Sequence, residues 1–169
     1  MSKKAVLEWV ANNPGTFAGG ATTEEETDRL ELGLRDDEIA EIHKIVLDIN
    51  LVEDFDAAKT VALYAWLSMD PDSAYGVNIN RDLETIVSTQ YSKTAEGILA
   101  GTETVIDNEK TLNYDFDPPV LVGTDLGMGL YGLASVGNLD AGSTAFFRVF
   151  FTRRKATAAE LNRILLKRR

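Results

Sequence analysis

Apolar and polar residues alternate with a period of two along most of the chain after Arg29. Alternation of this kind puts apolar side chains on one face of a half-buried β-strand. Turn-forming clusters such as Asp36-Asp37 and Asp70-Pro71-Asp72-Ser73 separate the alternating segments. Strands are therefore predicted at residues 30–34, 45–51, 61–69, 98–106, 111–116, 120–124, 127–135 and 144–153.

Two of these segments predict more than a strand. In residues 61–69, Tyr64 and Trp66 fall on the second face, so we expect that this face is also covered. In residues 127–135, repeated glycines weaken a strand and predict bulges or a close approach of another part of the backbone.

Two further stretches leave the strand pattern open. Residues 77–93 fit either a strand or a short helix that Asp82 would cap. Asp107-Asn108 has the composition of a hairpin turn, so a turn is predicted there between two strands.

The strand predicted at Thr144–Arg153 is the most hydrophobic segment of the chain. Aromatic residues occupy both of its faces, and a strand of this kind lies in the centre of a sheet or is covered by a partner. Phe146 and Phe150 share one face, whereas Phe147, Val149 and Phe151 share the other. The candidate residues for an assembly surface are Phe146, Phe147 and Phe151.

The two ends of the chain depart from the strand pattern. Residues 1–28 combine a loop-like stretch with a charged run and are expected to form an N-terminal arm. Residues 155–169 have a helical period, and Thr157 with Glu160 matches a capping box. We therefore predict an all-β fold, a β-sandwich or jelly roll of about eight strands at residues 29–154, with an N-terminal arm and a short C-terminal helix.

Composition limits the class of protein. The chain has 169 residues and is 44% hydrophobic, which suits one folded domain with a sizeable core. It has no cysteine, so disulfides, thiolate metal sites and a cysteine nucleophile are excluded. We find no run of about 18 apolar residues and no signal-peptide core, so synthesis in the cytosol is expected.

Charge is distributed very unevenly. Residues 148–169 contain eight basic residues and one acidic residue, a balance of +7, while residues 1–147 have a balance of −17. The basic end is expected to contact an anionic membrane or nucleic acid, or the acidic body of another copy; a solvated helix end without a partner is the remaining alternative. The candidate contact residues are Arg153, Arg154, Lys155, Arg163, Lys167, Arg168 and Arg169.

No motif indicates catalysis, a metal or a cofactor. His43 is the only histidine, and a lone histidine in a strand is expected to be structural. Residues 123–129 are rich in glycine but lack the Lys-Ser/Thr ending of a phosphate-binding loop. Paired aspartates lie at predicted turns, where Asp is favoured for local hydrogen bonds, although such pairs can also bind calcium. The pairs are Asp36-Asp37, Asp54 with Asp56, Asp70 with Asp72, and Asp115 with Asp117.

The strand pattern, the aromatic strand Thr144–Thr152 and the basic segment Arg153–Arg169 together resemble a small viral capsid subunit. The similarity is to the single jelly-roll major capsid proteins of tailless icosahedral, membrane-containing viruses of archaea and thermophilic bacteria, and it covers the architecture of residues 29–169. This resemblance implies a sandwich of two four-stranded sheets, oligomeric capsomers and a shell over a lipid membrane. It implies no catalytic residues.

Three functions follow as hypotheses. The first is a self-assembling shell subunit located in the virion and made in the host cytoplasm, whose partners are copies of itself and other capsid proteins. The second is a carbohydrate- or ligand-binding sandwich with an aromatic platform of Trp66, Tyr64 and Tyr75. The third is a hydrolase that uses a carboxylate pair, either Asp54 with Asp56 or Asp115 with Asp117.

Overall fold

The computed structural model describes residues 6–55, 58–75, 85–95, 104–160 and 162. These residues form eight β-strands and the beginning of a C-terminal helix. The strands are β1 (Leu7–Asn12), β2 (Thr23–Leu30), β3 (Glu38–Phe55), β4 (Lys59–Ser68), β5 (Thr85–Ala95), β6 (Thr104–Val122), β7 (Leu126–Ala134) and β8 (Thr144–Lys155).

The strands form two antiparallel four-stranded sheets, one in the order β1-β8-β3-β6 and the other in the order β2-β7-β4-β5. Pairing is nested, because the first strand pairs with the eighth, the second with the seventh, the third with the sixth and the fourth with the fifth. A chain that forms one long hairpin and rolls into two sheets is a jelly roll. The fold class predicted from the sequence is therefore confirmed.

The core lies between the sheets and follows directly from the period of two. On β3, every second residue from Ile45 to Leu51 is buried, and on β4 the same holds from Val61 to Leu67. Each buried apolar side chain contributes about 1.5–3 kcal/mol to the free energy of unfolding. Phe17, from the loop between β1 and β2, fills the space above Gly132 in the same core.

The prediction of an N-terminal arm at residues 1–28 is wrong for the described residues, because two of the strands that pair into the sheets begin there. Strand β1 pairs with β8 from Leu7↔Thr152 to Asn12↔Phe147, and β2 pairs with β7 along its whole length. The strand predicted at residues 30–34 is also wrong, because β2 ends at Leu30. The next residues form a loop in which the N–H of Leu32 donates to Oδ1 of Asp125 at 2.9 Å.

Three strands were predicted between residues 98 and 124, but from Thr104 to Val122 the structure has the single strand β6. The hairpin turn predicted at Asp107-Asn108 is wrong, since these residues pair with Val52 and Leu51 of β3. Residues 96–103 lie outside the described residues. Pairing to a long neighbouring strand has overridden the local turn preference of Asp and Asn.

The open assignment at residues 77–93 is resolved in part. Residues 85–93 belong to strand β5, which pairs with β4. Asp82, the expected helix cap, lies outside the described residues.

The glycines of β7 allow other groups to approach its backbone closely, as predicted. A Cβ at Gly129 would overlap the ring of Trp66, which lies on the neighbouring strand directly opposite. A Cβ at Gly127 would overlap the carbonyl oxygen of Asp70. The loop after β4 therefore folds back over the outer face of the second sheet and covers Trp66, which is buried.

The C-terminal helix begins with the predicted capping box. The N–H of Thr157 donates to Oε2 of Glu160 at 2.8 Å, and the N–H of Glu160 donates to Oγ1 of Thr157 at 3.3 Å. These reciprocal bonds satisfy backbone donors that the first turn of a helix leaves free. No helix in the described part of the chain is long and apolar enough to cross a bilayer.

Candidate functional site

The aromatic strand β8 faces the core with one side and solvent with the other. Phe147 and Phe151 are fully buried between the sheets, so the prediction that they form an assembly surface is wrong. Their inward direction follows from the register, because Phe147 lies opposite the buried Leu47. Phe146 is 38% exposed on the outer face and remains a candidate.

A second aromatic residue of the outer face was missed by the sequence analysis. Trp9 on β1 lies directly opposite Phe150 of β8, so both side chains are on the outer face of the same sheet. Trp9 is 64% exposed, and Val6 and Leu7 beside it are also exposed. We call Leu7, Trp9, Phe146 and Phe150 the aromatic edge patch. Its signal in the sequence was the apolar alternation of Leu7 and Trp9, which the assignment to an arm obscured.

The charged groups around the aromatic edge patch are neutralised within the chain. Glu8 of β1 forms a salt bridge with Arg153 at 2.9 Å. Arg148 forms one with Asp48 at 2.6 Å. The guanidinium of Arg153 also lies over the ring of Phe151, 5.6 Å from its centroid. Glu8, Arg148 and Arg153, the charged residues of β1 and β8 that lie near the patch in sequence, therefore all have partners of opposite charge.

Arg154 connects strand β3 to the C-terminal helix. It donates to Glu41 at 2.6 Å and makes two hydrogen bonds to Glu160, at 3.0 and 2.6 Å. The hydrogen bonds from Arg154, together with those from Thr157, lower the pKa of Glu160 to about 2. The hydrogen bonds to Glu160 and Glu41 in turn raise the pKa of Arg154 above its ordinary value. This network fixes the start of the helix against the sheet.

The predicted anion contacts therefore divide into two groups. Arg153 and Arg154 are paired with carboxylates of the same chain, and Lys155 lies 3.1 Å from Asp37 in an exposed pair. These three residues already have acidic partners. The other four, Arg163, Lys167, Arg168 and Arg169, lie outside the described residues.

The edge of the second sheet has the opposite character. Strand β2 is its outer strand, and five of its eight residues are charged. They are Glu24, Glu25, Glu26, Asp28 and Arg29. The two edges lie on the same open side of the sandwich, because Nδ2 of Asn12 on β1 donates to Asp28 on β2 at 3.2 Å.

The aromatic platform expected at Trp66 is wrong, because Trp66 is buried and its Nε1 donates to Oγ of Ser73 at 3.1 Å. Tyr75 does not provide a free ring face in its place, since it stacks on Tyr131 with a centroid distance of 3.7 Å and an interplanar angle of 5°. Burial, reinforced by Tyr64 and Tyr131, raises the pKa of Tyr75. These rings cover the outer face of the second sheet and pack on one another.

The described residues that were considered for catalysis are not assembled into a site. His43 lies at a β-bulge of β3, where its Nε2 is 3.0 Å from Oγ1 of Thr152, and this contact is structural. Asp115 and Asp117 are both exposed on the edge strand β6, so no water-excluded cleft surrounds them. Asp56, the expected partner of Asp54, lies outside the described residues. Within those residues no group of three or more His, Asp or Glu side chains could hold a metal ion.

A buried ion pair at one end of the sandwich was also missed. Lys59, the first residue of β4, contacts Glu53 near the end of β3, with side-chain exposures of 7% and 1%. The ammonium of Lys59 also donates to the carbonyl of Asn138 at 3.3 Å, and the N–H of Asp140 donates to Glu53 at 3.3 Å. Burial raises the pKa of Glu53, and Lys59 opposes this increase. The pair fastens the β7–β8 loop to the β3–β4 end.

No family model and no curated protein matches the chain. Similar solved structures include desmodium yellow mottle tymovirus (TM-score 0.39, 10% identity, 92% of this chain and 90% of that chain). Trichodysplasia spinulosa-associated polyomavirus VP1, in complex with GM1 oligosaccharide, gives a TM-score of 0.42 at 10% identity over 90% of this chain and 97% of that chain. The structure of infectious bursal disease virus, Gt strain, gives a TM-score of 0.37 at 8% identity over 93% of this chain and 39% of that chain. All three are viral; the assignment of the jelly roll rests on the strand order described above.

Proposed function

We propose that the protein is a structural, self-assembling subunit of a viral capsid, with no catalytic role. The observation that carries the proposal is the exposed aromatic edge patch, with Trp9 at its centre, on an otherwise acidic molecule. Contiguous exposed apolar residues of this kind mark interaction sites on soluble proteins. A solitary domain gains no stability from an exposed tryptophan, whereas a subunit buries it on assembly.

The proposal also assigns partners and a location. Its partners are copies of the same chain and other capsid proteins, and its location is the virion after synthesis in the host cytoplasm. The basic residues Arg163, Lys167, Arg168 and Arg169 are proposed to contact an anionic membrane or nucleic acid, since the described basic residues of the same segment already have acidic partners.

Self-association of the purified protein tests this function. We expect multi-angle light scattering and negative-stain microscopy to show oligomers or closed particles as the concentration rises. A species that remains monomeric at high concentration, at both low and high ionic strength, would contradict the proposal. Truncation before Thr157 is the second arm: it removes the proposed membrane or nucleic-acid contact while retaining the aromatic edge patch.

A further inference from the structure

The outer side of strand β1 is an open edge. Strand β1 pairs with β8 on one side, and no other strand in the described ranges pairs with it on the other. In an antiparallel ladder, alternate residues direct their N–H and C=O groups away from the existing partner. Such a row of unpaired backbone groups is a template for pairing with another strand.

The other three sheet edges have features that prevent this pairing. Strand β2 carries five charged residues, and β6 contains Pro118 and Pro119, which lack an N–H. At β5, the ammonium groups of Lys93 and Lys110 both lie over the ring of Tyr91, within 6 Å of its centroid. Charges, prolines and lysines are the usual means by which proteins block an edge.

Strand β1 lacks these protections. Its sequence, LEWVAN, contains neither proline nor lysine, and its single charge, on Glu8, is neutralised by Arg153. Its exposed side chains, Leu7 and Trp9, are apolar. The edge that offers free backbone groups is thus also the edge with exposed apolar surface.

We propose that the β1 strands of two copies pair antiparallel across a two-fold axis at Trp9, which joins two four-stranded sheets into one of eight strands. This inference rests on the proposed self-assembly and names the contact that produces it. In this register Leu7 lies opposite the partner's Ala11, and Glu8 lies opposite the partner's Val10. The outer-face aromatic residues of the two copies then form one continuous surface.

The charge at β1 is compatible with a second copy as the occupant of this edge. Two acidic chains repel each other over most of their surfaces, because each has a net charge of −10. Within the contact between the two β1 strands this repulsion is small, since Glu8 is paired and does not face the partner's Glu8 in this register. The symmetric pairing is an isologous contact, in which each copy contributes the same strand, so no second kind of surface is required.

The area required by a stable interface shows which residues must take part. Specific interfaces bury about 1,200–2,000 Å² in total. An aromatic side chain buries about 150–250 Å², so the 64% exposed Trp9 of two copies supplies roughly 200–300 Å². The rest must come from Leu7, from Val6 and from the paired backbones, because Phe146 lies on β8, behind β1, and does not meet the partner.

The salt dependence distinguishes this contact from a head-to-tail contact. Pairing at β1 brings the acidic β2 strands of both copies to the same side, because β2 lies beside β1. Added sodium chloride shortens the screening length from about 30 Å at 0.01 M to about 10 Å at 0.1 M. We therefore expect the dimer to strengthen with salt, whereas a contact between a basic end and an acidic body would weaken.

Sedimentation velocity of two matched lysine variants tests the proposal. Trp9→Lys places a charge in the proposed contact, and Val136→Lys places one at a 60% exposed residue of the β7–β8 loop. We expect Trp9→Lys to weaken the dimer by at least about 30-fold, as for a central interface tryptophan, and Val136→Lys to leave it unchanged. Circular dichroism checks that both variants fold.

Disulfide trapping tests the register. The chain has no cysteine, so Trp9→Cys introduces a single thiol. Opposite residues of an antiparallel pair have Cα atoms about 4.5–5.5 Å apart, which falls within the disulfide range of about 4.4–6.8 Å. We expect mild oxidation to link Trp9→Cys into covalent dimers and to leave Val136→Cys monomeric.

The outcomes separate the two proposals. If the Trp9→Lys variant assembles as well as the unmodified protein, or if salt weakens the dimer, the β1 contact is overturned. The proposed function would still stand. A protein that never self-associates would overturn both. Loss of assembly in Trp9→Lys with trapping of Trp9→Cys supports both.

Discussion

Replacement of Lys59 by methionine should destabilise the fold far more than replacement of an exposed lysine. In the structure, Lys59 and Glu53 form an ion pair with side-chain exposures of only 7% and 1%. Methionine keeps the apolar length of the side chain but removes the ammonium. Among the described residues, the Glu53 carboxylate would then keep only the N–H of Asp140 as a partner, and the carbonyl of Asn138 would lose the Lys59 ammonium as a donor.

The size of the loss follows from the burial of the pair. Removal of one partner of a buried ion pair lowers the free energy of unfolding by about 3–5 kcal/mol, because it leaves an uncompensated charge. For a domain of this size, each kcal/mol changes the melting temperature by about 2–4 °C, so we expect a decrease of about 6–20 °C. The control is Lys155→Met, since the Lys155 side chain is 85% exposed and its partner Asp37 is also accessible to water.

The assay is urea unfolding at low protein concentration, followed by tryptophan fluorescence, in which the change comes mainly from the buried Trp66 because Trp9 is already exposed in the folded protein. Because burial already raises the pKa of Glu53 and Lys59 opposes this increase, Lys59→Met should raise that pKa further. A carboxyl whose pKa is higher in the folded than in the unfolded state loses stability as the pH rises between those two values. The difference in stability between Lys59→Met and the unmodified protein should therefore be larger at pH 8 than at pH 5.

Two results would refute this reasoning. One is a Lys59→Met variant no less stable than Lys155→Met. The other is a stability difference that does not change with pH, which would show that Glu53 stays ionised and solvated in the variant.

Three further predictions test other parts of the structure. Gly129→Ala should cost about 1–3 kcal/mol of stability, measured by urea unfolding, because the added methyl overlaps the indole that covers this glycine. Phe147→Ala should cost about 3–5 kcal/mol, whereas Phe146→Ala, at an exposed residue, should change stability little; equal losses would contradict the assignment of the two faces. The Glu160 carboxyl should titrate near pH 2 by NMR, because Arg154 lowers its pKa from 4.5. Its contribution to stability is then present above pH 4.5 and lost as the pH falls toward 2. Titration near pH 4.5 would exclude the pairing with Arg154.

The central strands were predictable because each has one face on the core. On β3 and β4 the period of two marks the buried side chains directly, as at Ile45, Leu47, Leu63 and Leu67. Strand β8 was also predicted, together with its two separate aromatic faces. In these strands, local pattern and tertiary packing agree.

The edge strands were not predictable from the same pattern. Strand β2 is polar at nearly every position because it lies beside solvent at the open side of the sandwich. Strand β6 runs for 19 residues through Asp107-Asn108 and two prolines, each of which locally indicates a turn. Its backbone is held by pairing with β3, and no local preference carries that information.

The candidate site was only partly predictable for a related reason. A strand that is apolar on both faces does not reveal which face meets the other sheet, so the exposure of Phe146 and the burial of Phe147 depend on the fold. Glu53 and Lys59 look like surface residues in the sequence, because charged residues are rarely buried. Their burial arises only when the β7–β8 loop closes over them.

The nested pairing has a consequence for biosynthesis. Strand β8 lies between β1 and β3 and supplies both with hydrogen bonds, so the β1 ladder cannot be complete until residue 152 has left the ribosome, nor the β3 ladder until residue 155 has done so. Contacts between residues so distant in sequence make folding slow. A nascent chain halted before that point would expose unpaired apolar strands to neighbouring nascent chains on the same messenger RNA. Chaperone binding at this stage should therefore govern the yield of folded protein.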